Sequence, residues 1–192
     1  MPAEELQFRN PPLPRIALDG RQVENDWNIL SLEAELRADA AQIVKLAIML
    51  GGVDPIGAID AAGAVFKVGS QIAWSAGDAA PLSQGRIASR RLELDQGAPT
   101  FHVDARGDAG FPESDGTTLK VTYGISLVSA GLSDPAHTNW IECAGHTKLV
   151  PGNRVELANV GDRWNGPHTI VAAHHRLSGD GWTCRVELGE RL

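Results

Sequence analysis

Few residues in this chain of 192 have types suited to chemistry, and their spacing argues against most of it. His168, His174 and His175 stand close together in sequence and invite a metal site. Neighbours on a strand point to opposite faces, however, so the adjacent pair does not readily share one ion. They read as ordinary strand histidines, and no metal is expected. His102, His137 and His146 are scattered, and Ser126, Ser129 and Ser133 sit in no nucleophile elbow. The glycine-rich run from Gly51 to Gly57 lacks the lysine of a phosphate loop and suits the start of a helix better. Arg106-Gly107-Asp108 spells an adhesion triplet, but such triplets are common by chance and this one falls at a turn. Arg90-Arg91 fits an acidic neighbour, a channel lining or a solvated strand face equally well. The five tryptophans, Trp27, Trp74, Trp140, Trp164 and Trp182, read as core or interface anchors. If exposed, they would suit stacking on sugars. No catalytic residue and no cofactor is expected.

The bulk numbers agree with a non-catalytic β protein. A net charge of −7 argues against a general nucleic-acid binder, though not against a local basic patch. Twenty-one glycines and 11 prolines favour many turns and hence short strands. The longest apolar region, Ile43 to Gly52, contains Lys45 and is too short to span a bilayer. The first ten residues lack the basic and apolar regions of a secretory signal. Cys143 and Cys184 therefore read as small buried hydrophobes in strands, a disulfide being the lesser alternative.

The elements that must position these residues are strands almost throughout. Residues 1–12 form a polar extended arm, available to a neighbouring subunit. A strand over Pro14–Leu18 meets the hairpin signal Asp19-Gly20. A longer strand from Trp27 to Leu36 slips its alternation at Leu30, which suits a bulge. A strand is expected over Ile43–Leu50, then a helix over Pro55–Ala62 with Asp54 as its cap. Further strands follow over Phe66–Trp74, Gly85–Leu94 and Thr100–Ala105. Leu119, Val121, Tyr123, Ile125 and Leu127 alternate without a break and predict one long strand. Gly131–Asn139 reads as a loop, Trp140–Cys143 as a strand, and Leu149–Leu188 as strand, turn and strand.

That last stretch has an echo. Phe66-x-x-Gly69-x-x-Ile72-x-Trp74 parallels Leu149-x-x-Gly152-x-x-Val155-x-Leu157. Gly85 parallels Gly166, Arg90-Arg91 parallels His174-His175-Arg176, and Gly97 parallels Gly179. Phe101-x-Val103 parallels Cys184-x-Val186, each closing its unit 32 residues after the first glycine. The ordered series predicts a tandem of two similar β units. Gly69 and Gly152 permit a tight turn before the first strand. Gly85 and Gly166 permit a bulge that lets the sheet curl into a barrel.

The second copy resembles the late control protein D family of contractile-tailed phages, which is also the hub half of valine–glycine repeat spike proteins. The matching residues are Leu149-x-Pro151-Gly152-x-x-Val155-x-Leu157, then Gly161-x-x-Trp164-Asn165-Gly166-Pro167-His168-x-Ile170-Val171. Ala173-His174-His175 and Gly181-Trp182-Thr183-Cys184-x-Val186-Glu187-Leu188 complete them. Trp164-Asn165 stands where the family carries a phenylalanine and an aspartate. Residues 66–103 fit the family's first barrel more loosely. The resemblance implies a mainly β fold of two tandem, small, antiparallel, tube-protein-like barrels, with one short helix in the first. The arm at 1–12 would precede a first barrel at 13–105, a linker at 106–118 and a second barrel at 119–192. Gly69, Gly85, Pro151, Gly152, Trp164, Gly166, His174 and Thr183 are the structural motif residues. Family members are longer and insert domains between the barrels, and no β-helical needle follows here, so the chain reads as a minimal hub.

The resemblance further implies a homotrimer whose six barrels form a ring. That ring would be pseudo-sixfold toward a hexameric tail tube and threefold toward a trimeric spike, within a baseplate assembled in the bacterial cytoplasm. Other baseplate proteins are expected partners, DNA or an effector is the expected traffic through the lumen, and no membrane is expected in the free state. The alternative carried beside it is a small ligand- or carbohydrate-binding β-barrel protein.

Overall fold

A computed structural model describes residues 3–8, 13–23, 27–77, 79–95, 98–109, 112–133 and 139–191. In chain order the elements are β1 (Glu4–Glu5), β2 (Pro14–Leu18), β3 (Arg21–Gln22), β4 (Asn28–Arg37), β5 (Ile43–Met49), α1 (Pro55–Val65), β6 (Gln71–Ala76), β7 (Ser83–Glu93) and β8 (Thr100–Arg106). Then come β9 (Thr118–Thr122), β10 (Leu127–Gly131), β11 (Asn139–Ala144), β12 (Arg154–Ala158), β13 (Gly166–Ser178) and β14 (Gly181–Arg191). The fold is mainly β, with one helix among the described residues, as the alternation of the sequence requires.

All fourteen strands belong to one sheet. Its main path runs β1-β9-β12-β13-β4-β5-β8-β7-β6-β2-β3, with β14 joining β13 to β11, and β11 to β10. Pairing is antiparallel between the named strands, except that β9 runs parallel to both β1 and β12. The buried face is a continuous apolar cluster drawn from both halves of the chain, including Leu32, Leu36, Ile48, Trp74, Ile141 and Val186. Burial alternates along β4 and β5, because successive side chains leave a strand on opposite faces.

Several local expectations are met. Asp19-Gly20 joins β2 to β3, and the slip at Leu30 is a register shift between Ile29 and Ser31 against β5. Asp54 caps α1, its carboxylate accepting from the Gly57 amide at 2.9 Å, with Pro55 at the first turn. The helix runs one turn beyond the expected end, to Val65.

Others are corrected. The strand expected from Phe66 begins only at Gln71, because the Phe66 amide closes α1 on Ala62 and the next residues form a turn. Phe66 is fully buried all the same, packed edge-on against Trp27 and beside Phe101. The run from Leu119 to Leu127 is broken between β9 and β10. There the amides of Ile125 and Ser126 donate to the Thr122 carbonyl, and the Ser126 hydroxyl accepts from the Thr122 amide. Tyr123 and Ile125 point to solvent, so their alternation carried no packing information. The described part of the N-terminal arm lies on its own chain. β1 pairs with β9, Leu6 is buried, and Glu5 accepts from Thr122 Oγ1 and meets Lys120 at 3.2 Å. The Thr122 hydrogen bond, then the one to Lys120, hold the Glu5 carboxyl below its usual range. Residues 9–12, 134–138 and Gly97 lie outside the described residues.

Candidate functional site

Among the described residues, the geometry that stands out is the relation between the two halves of the fold. Gly69 and Gly152 hold the same place in each. Both have positive φ, 92° and 88°, which favours glycine. The Gly69 amide donates to the Ile87 carbonyl and the Ile87 amide to that of Ser70, both at 2.9 Å. Gly152, Ile170 and Asn153 repeat that pair of bonds, also at 2.9 Å.

From there the register of β6, β7 and β8 repeats in β12, β13 and β14 at an offset of 83 residues. Gln71 opposite Arg86 becomes Arg154 opposite Thr169. In β7 and β8, Ile87 faces Ala105, a bulge follows, and Ser89 faces Asp104. In β13 and β14, Ile170 faces Leu188, a bulge follows, and Ala172 faces Glu187. The match runs on to Glu93 opposite Thr100 and Arg176 opposite Thr183. β5 against β8 repeats as β11 against β14, so Ile48 opposite Phe101 corresponds to Cys143 opposite Cys184. Even the bulge of β4 recurs. Ile29 and Ser31 straddle it in one half, Leu127 and Ser129 in the other. A register is fixed by nonlocal pairing, and a shift of one residue would turn every side chain to the wrong face. Two chance arrangements would not share four pairings and two bulges.

Gly85 and Gly166, parallel in the sequence, do not hold equivalent places in the two halves. Gly85 pairs with Ile72, and the matching pair in the second half is His168 with Val155, so Gly166 lies two residues off. Gly85 answers to a local demand, since a Cβ there would meet the Arg106 carbonyl carbon at 2.7 Å. Gly85→Ala is expected to cost about 1–2 kcal/mol by overpacking, read as a lowered urea midpoint in far-UV circular dichroism. Arg91 is the counterpart of His174, Leu92 of His175, and Thr100 of Thr183.

The remaining motif residues have structural roles. Pro151 is buried in the turn that brings Gly152 to β12. Trp164 is half-buried, its carbonyl accepting from His168 Nε2 at 3.2 Å. Asn165 accepts the Val160 amide at 3.0 Å, closing the turn where the family carries an aspartate. His174 is half-exposed and meets Glu33 at 3.4 Å, while His175 is fully buried. The adjacent pair does face opposite ways. Among the described residues, no group of three or more His, Cys, Asp or Glu side chains is placed to hold a metal ion. Cys143 and Cys184 face each other as buried free thiols. Burial pushes Cys143 up to about 12 and Cys184 well above its usual range. No tryptophan is exposed. Trp74 is buried edge-on to Trp182, and Arg185 stacks over Trp140 at 3.8 Å.

Asn153, which carried no motif signal, organises the linker. It is fully buried. Its Oδ1 accepts from Ser114 Oγ at 2.7 Å and from the amides of Asp115 and Gly116 at 3.1 and 3.0 Å, while its Nδ2 donates to the Lys148 carbonyl. Lys148 also pairs with Asp115 at 2.5 Å, and that hydrogen bond, with those from Thr117, holds the Asp115 carboxyl far below its usual range. Asn153→Ala is expected to lower stability by about 1–2 kcal/mol, since the linker donors can turn to water. Proteolysis between residues 106 and 118 should quicken in parallel.

The two halves are joined edge to edge. β13 pairs with β12 through its first residues, then leaves it and pairs with β4 from Ala172–Arg37 to Ser178–Ser31. The inner face of this seam is Leu32, Ala34, Leu36, Ala173, His175 and Leu177, all buried. The outer face carries Glu33 between His174 and Arg176, at 3.4 and 3.8 Å. The architecture is thus a duplicated strand unit joined through its sheet.

Solved structures with this architecture exist. A tail protein from Neisseria meningitidis MC58 superposes with a TM-score of 0.61 over 92% of this chain and 96% of its own, at 11% identity. The fold is that of phage tail proteins. The 43 kDa tail protein of prophage MuSo2 from Shewanella oneidensis gives 0.64 at 8% identity, over 95% of this chain and 97% of its own. The E. coli c3393 protein is a component of the type VI secretion system with structural similarity to the T4 bacteriophage tail proteins gp27 and gp5. It gives 0.56 at 7% identity, over 92% of this chain and 79% of its own. No protein-family model and no curated protein matches the sequence.

Proposed function

We propose that this chain is a structural baseplate hub, the adaptor between a tail tube and a spike in a contractile phage tail or a related injection system. The observation that carries this reading is the strand register that the two halves share, bulges included. A chain made of two equivalent units turns three copies into six equivalent positions, as a junction between a hexameric tube and a trimeric spike requires. The tail-protein fold of its structural neighbours and the motif resemblance to late control protein D support the same role. In this reading residues 13–105 and 119–192 are two tube-like barrels joined by the 106–118 linker. The partners are a second and third copy of the chain, the tube on one side, the spike on the other, and further baseplate proteins around them. Assembly takes place in the bacterial cytoplasm, and DNA or an effector passes through the ring. The role is structural, with no catalytic step. The sugar-binding alternative has less to rest on, since Trp74 is buried and Trp27, Trp140, Trp164 and Trp182 are only partly exposed. Gold labelling of a tagged chain in purified particles tests the role: the label is expected at the spike end of the tube. Label along the sheath, or none in the particle, would contradict it.

A further inference from the structure

The seam inside the chain has an unfilled counterpart at each end of it. β13 corresponds to β7 and β4 to β10, by the pairings above. Within the chain, β13 leaves β12 and takes β4 along the same edge. β7 likewise leaves β6 after Arg86, but among the described residues nothing pairs with that edge from Ser89 to Glu93. β10 pairs with β11 on one side and, among the described residues, its other edge from Ser129 to Gly131 has no strand partner. Burial reports the same gap. Leu177 and His175, covered at the seam, are 6% and 0% exposed, whereas their counterparts Leu94 and Leu92 are 71% and 37% exposed. Leu32 is 0% exposed, and its counterpart Ala130 lies open. α1 has no equivalent among the described residues of the second half, and it reaches β7 through Arg90, which donates to the carbonyls of Gly63 and Phe66 at 2.7 and 3.2 Å. Beside this edge an open cleft of about 480 Å³ is lined by Ile59 and Asp60 of α1 together with Arg91, Leu92 and Phe101.

We infer that β7 of one copy pairs antiparallel with β10 of the next, repeating between chains the β13–β4 seam within one. Carried across by matching β13 to β7 and, at the bulges, Ser31 of β4 to Ser129 of β10, Leu177 opposite Leu32 becomes Leu94 opposite Ala130, and Arg176 opposite Glu33 becomes Glu93 opposite Gly131. The occupant is a second copy because the chain already shows this junction made by its own equivalent strands. An open strand edge is a template for a further strand. Each copy offers one edge of each kind, so the contact is head-to-tail and closes only as a ring. The inference rests on the ring reading above and adds the strands and register that close it.

Disulfide trapping tests the register. Residues opposite each other in an antiparallel pair have Cα atoms about 4.5–5.5 Å apart, within disulfide reach. The chain carrying Leu94→Cys and Ala130→Cys is expected to give covalent dimers and trimers on non-reducing gels after mild oxidation. Leu94→Cys with Ser129→Cys puts the thiols on opposite faces and is expected to give none. The buried Cys143 and Cys184 leave the unmodified chain as a clean control. Ala130→Pro removes a ladder donor and is expected to release monomers of native circular dichroism. A wild-type trimer that neither cross-links through Leu94→Cys and Ala130→Cys nor dissociates with Ala130→Pro overturns the junction and leaves the ring standing. A wild-type chain that stays monomeric at high concentration overturns both.

Discussion

Truncating Leu32 to alanine is expected to destabilise the whole chain by about 3–4 kcal/mol and to lower its melting midpoint by roughly 7–14 °C. Leu32 is fully buried on β4, opposite Leu46 on β5 and Leu177 on β13. A cavity there sits where the two halves share their sheet, and three paired backbones leave little freedom to close it. The expected thermogram is one transition moved to lower temperature, because a single apolar cluster spans both halves. Two separated transitions would mean that the halves unfold as independent bodies and that the seam contributes little.

Acid should act first through His175. Its Nε2 donates to the Leu149 carbonyl at 2.8 Å, its Nδ1 has no hydrogen-bond partner, and Cys184 Sγ lies 3.6 Å from Nε2. Burial lowers its pKa to about 4, only partly offset by the Leu149 carbonyl, with smaller lowering from His174 and His146. The unfolded chain takes this proton near pH 6.5 and the folded chain only near pH 4. Between those values the unfolded state binds more protons, so stability falls as pH falls. The contribution is fully present above pH 6.5, and about 3 kcal/mol of it is lost by pH 4. The lowered carboxyls of Asp115, Glu5 and Asp19 act in a lower window, below about pH 4. Urea unfolding from pH 7 to pH 4 should show the decline, and His175→Gln, which keeps a donor but cannot ionise, should flatten it. An equally steep decline in the variant would assign the acid sensitivity to other groups.

Local chemistry was legible in the sequence wherever one residue type answers one local demand. Asp54-Pro55 marked the start of α1, Asp19-Gly20 a hairpin, the slip at Leu30 a bulge, and Gly69 and Gly152 their positive-φ turns. Period alone misled where exposed residues imitate it, as Tyr123 and Ile125 do between β9 and β10, and where a helix cap consumes an apolar residue, as at Phe66. The parallel pairing of β1 with β9 and the β4–β13 seam depend on strands more than a hundred residues apart, as in Glu4 opposite Leu119 and Arg37 opposite Ala172, and no window of sequence contains them. Asn153 was invisible for another reason. Its value lies in three hydrogen bonds to a loop nearly forty residues away, from Ser114, Asp115 and Gly116, and asparagine is common in ordinary turns. The repeat itself was legible through Gly152, Phe101 and Cys184, but its alignment was not, because Gly85 and Gly166 serve different neighbours.

The ring is the central claim, and the solution mass of the purified chain, read together with particle images, tests it most directly. The account predicts a single species at three times the 20.4 kDa chain mass, seen end-on as six similar lobes around a central hole. A monomer at every accessible concentration, or a closed assembly whose lobes do not number six, would contradict it.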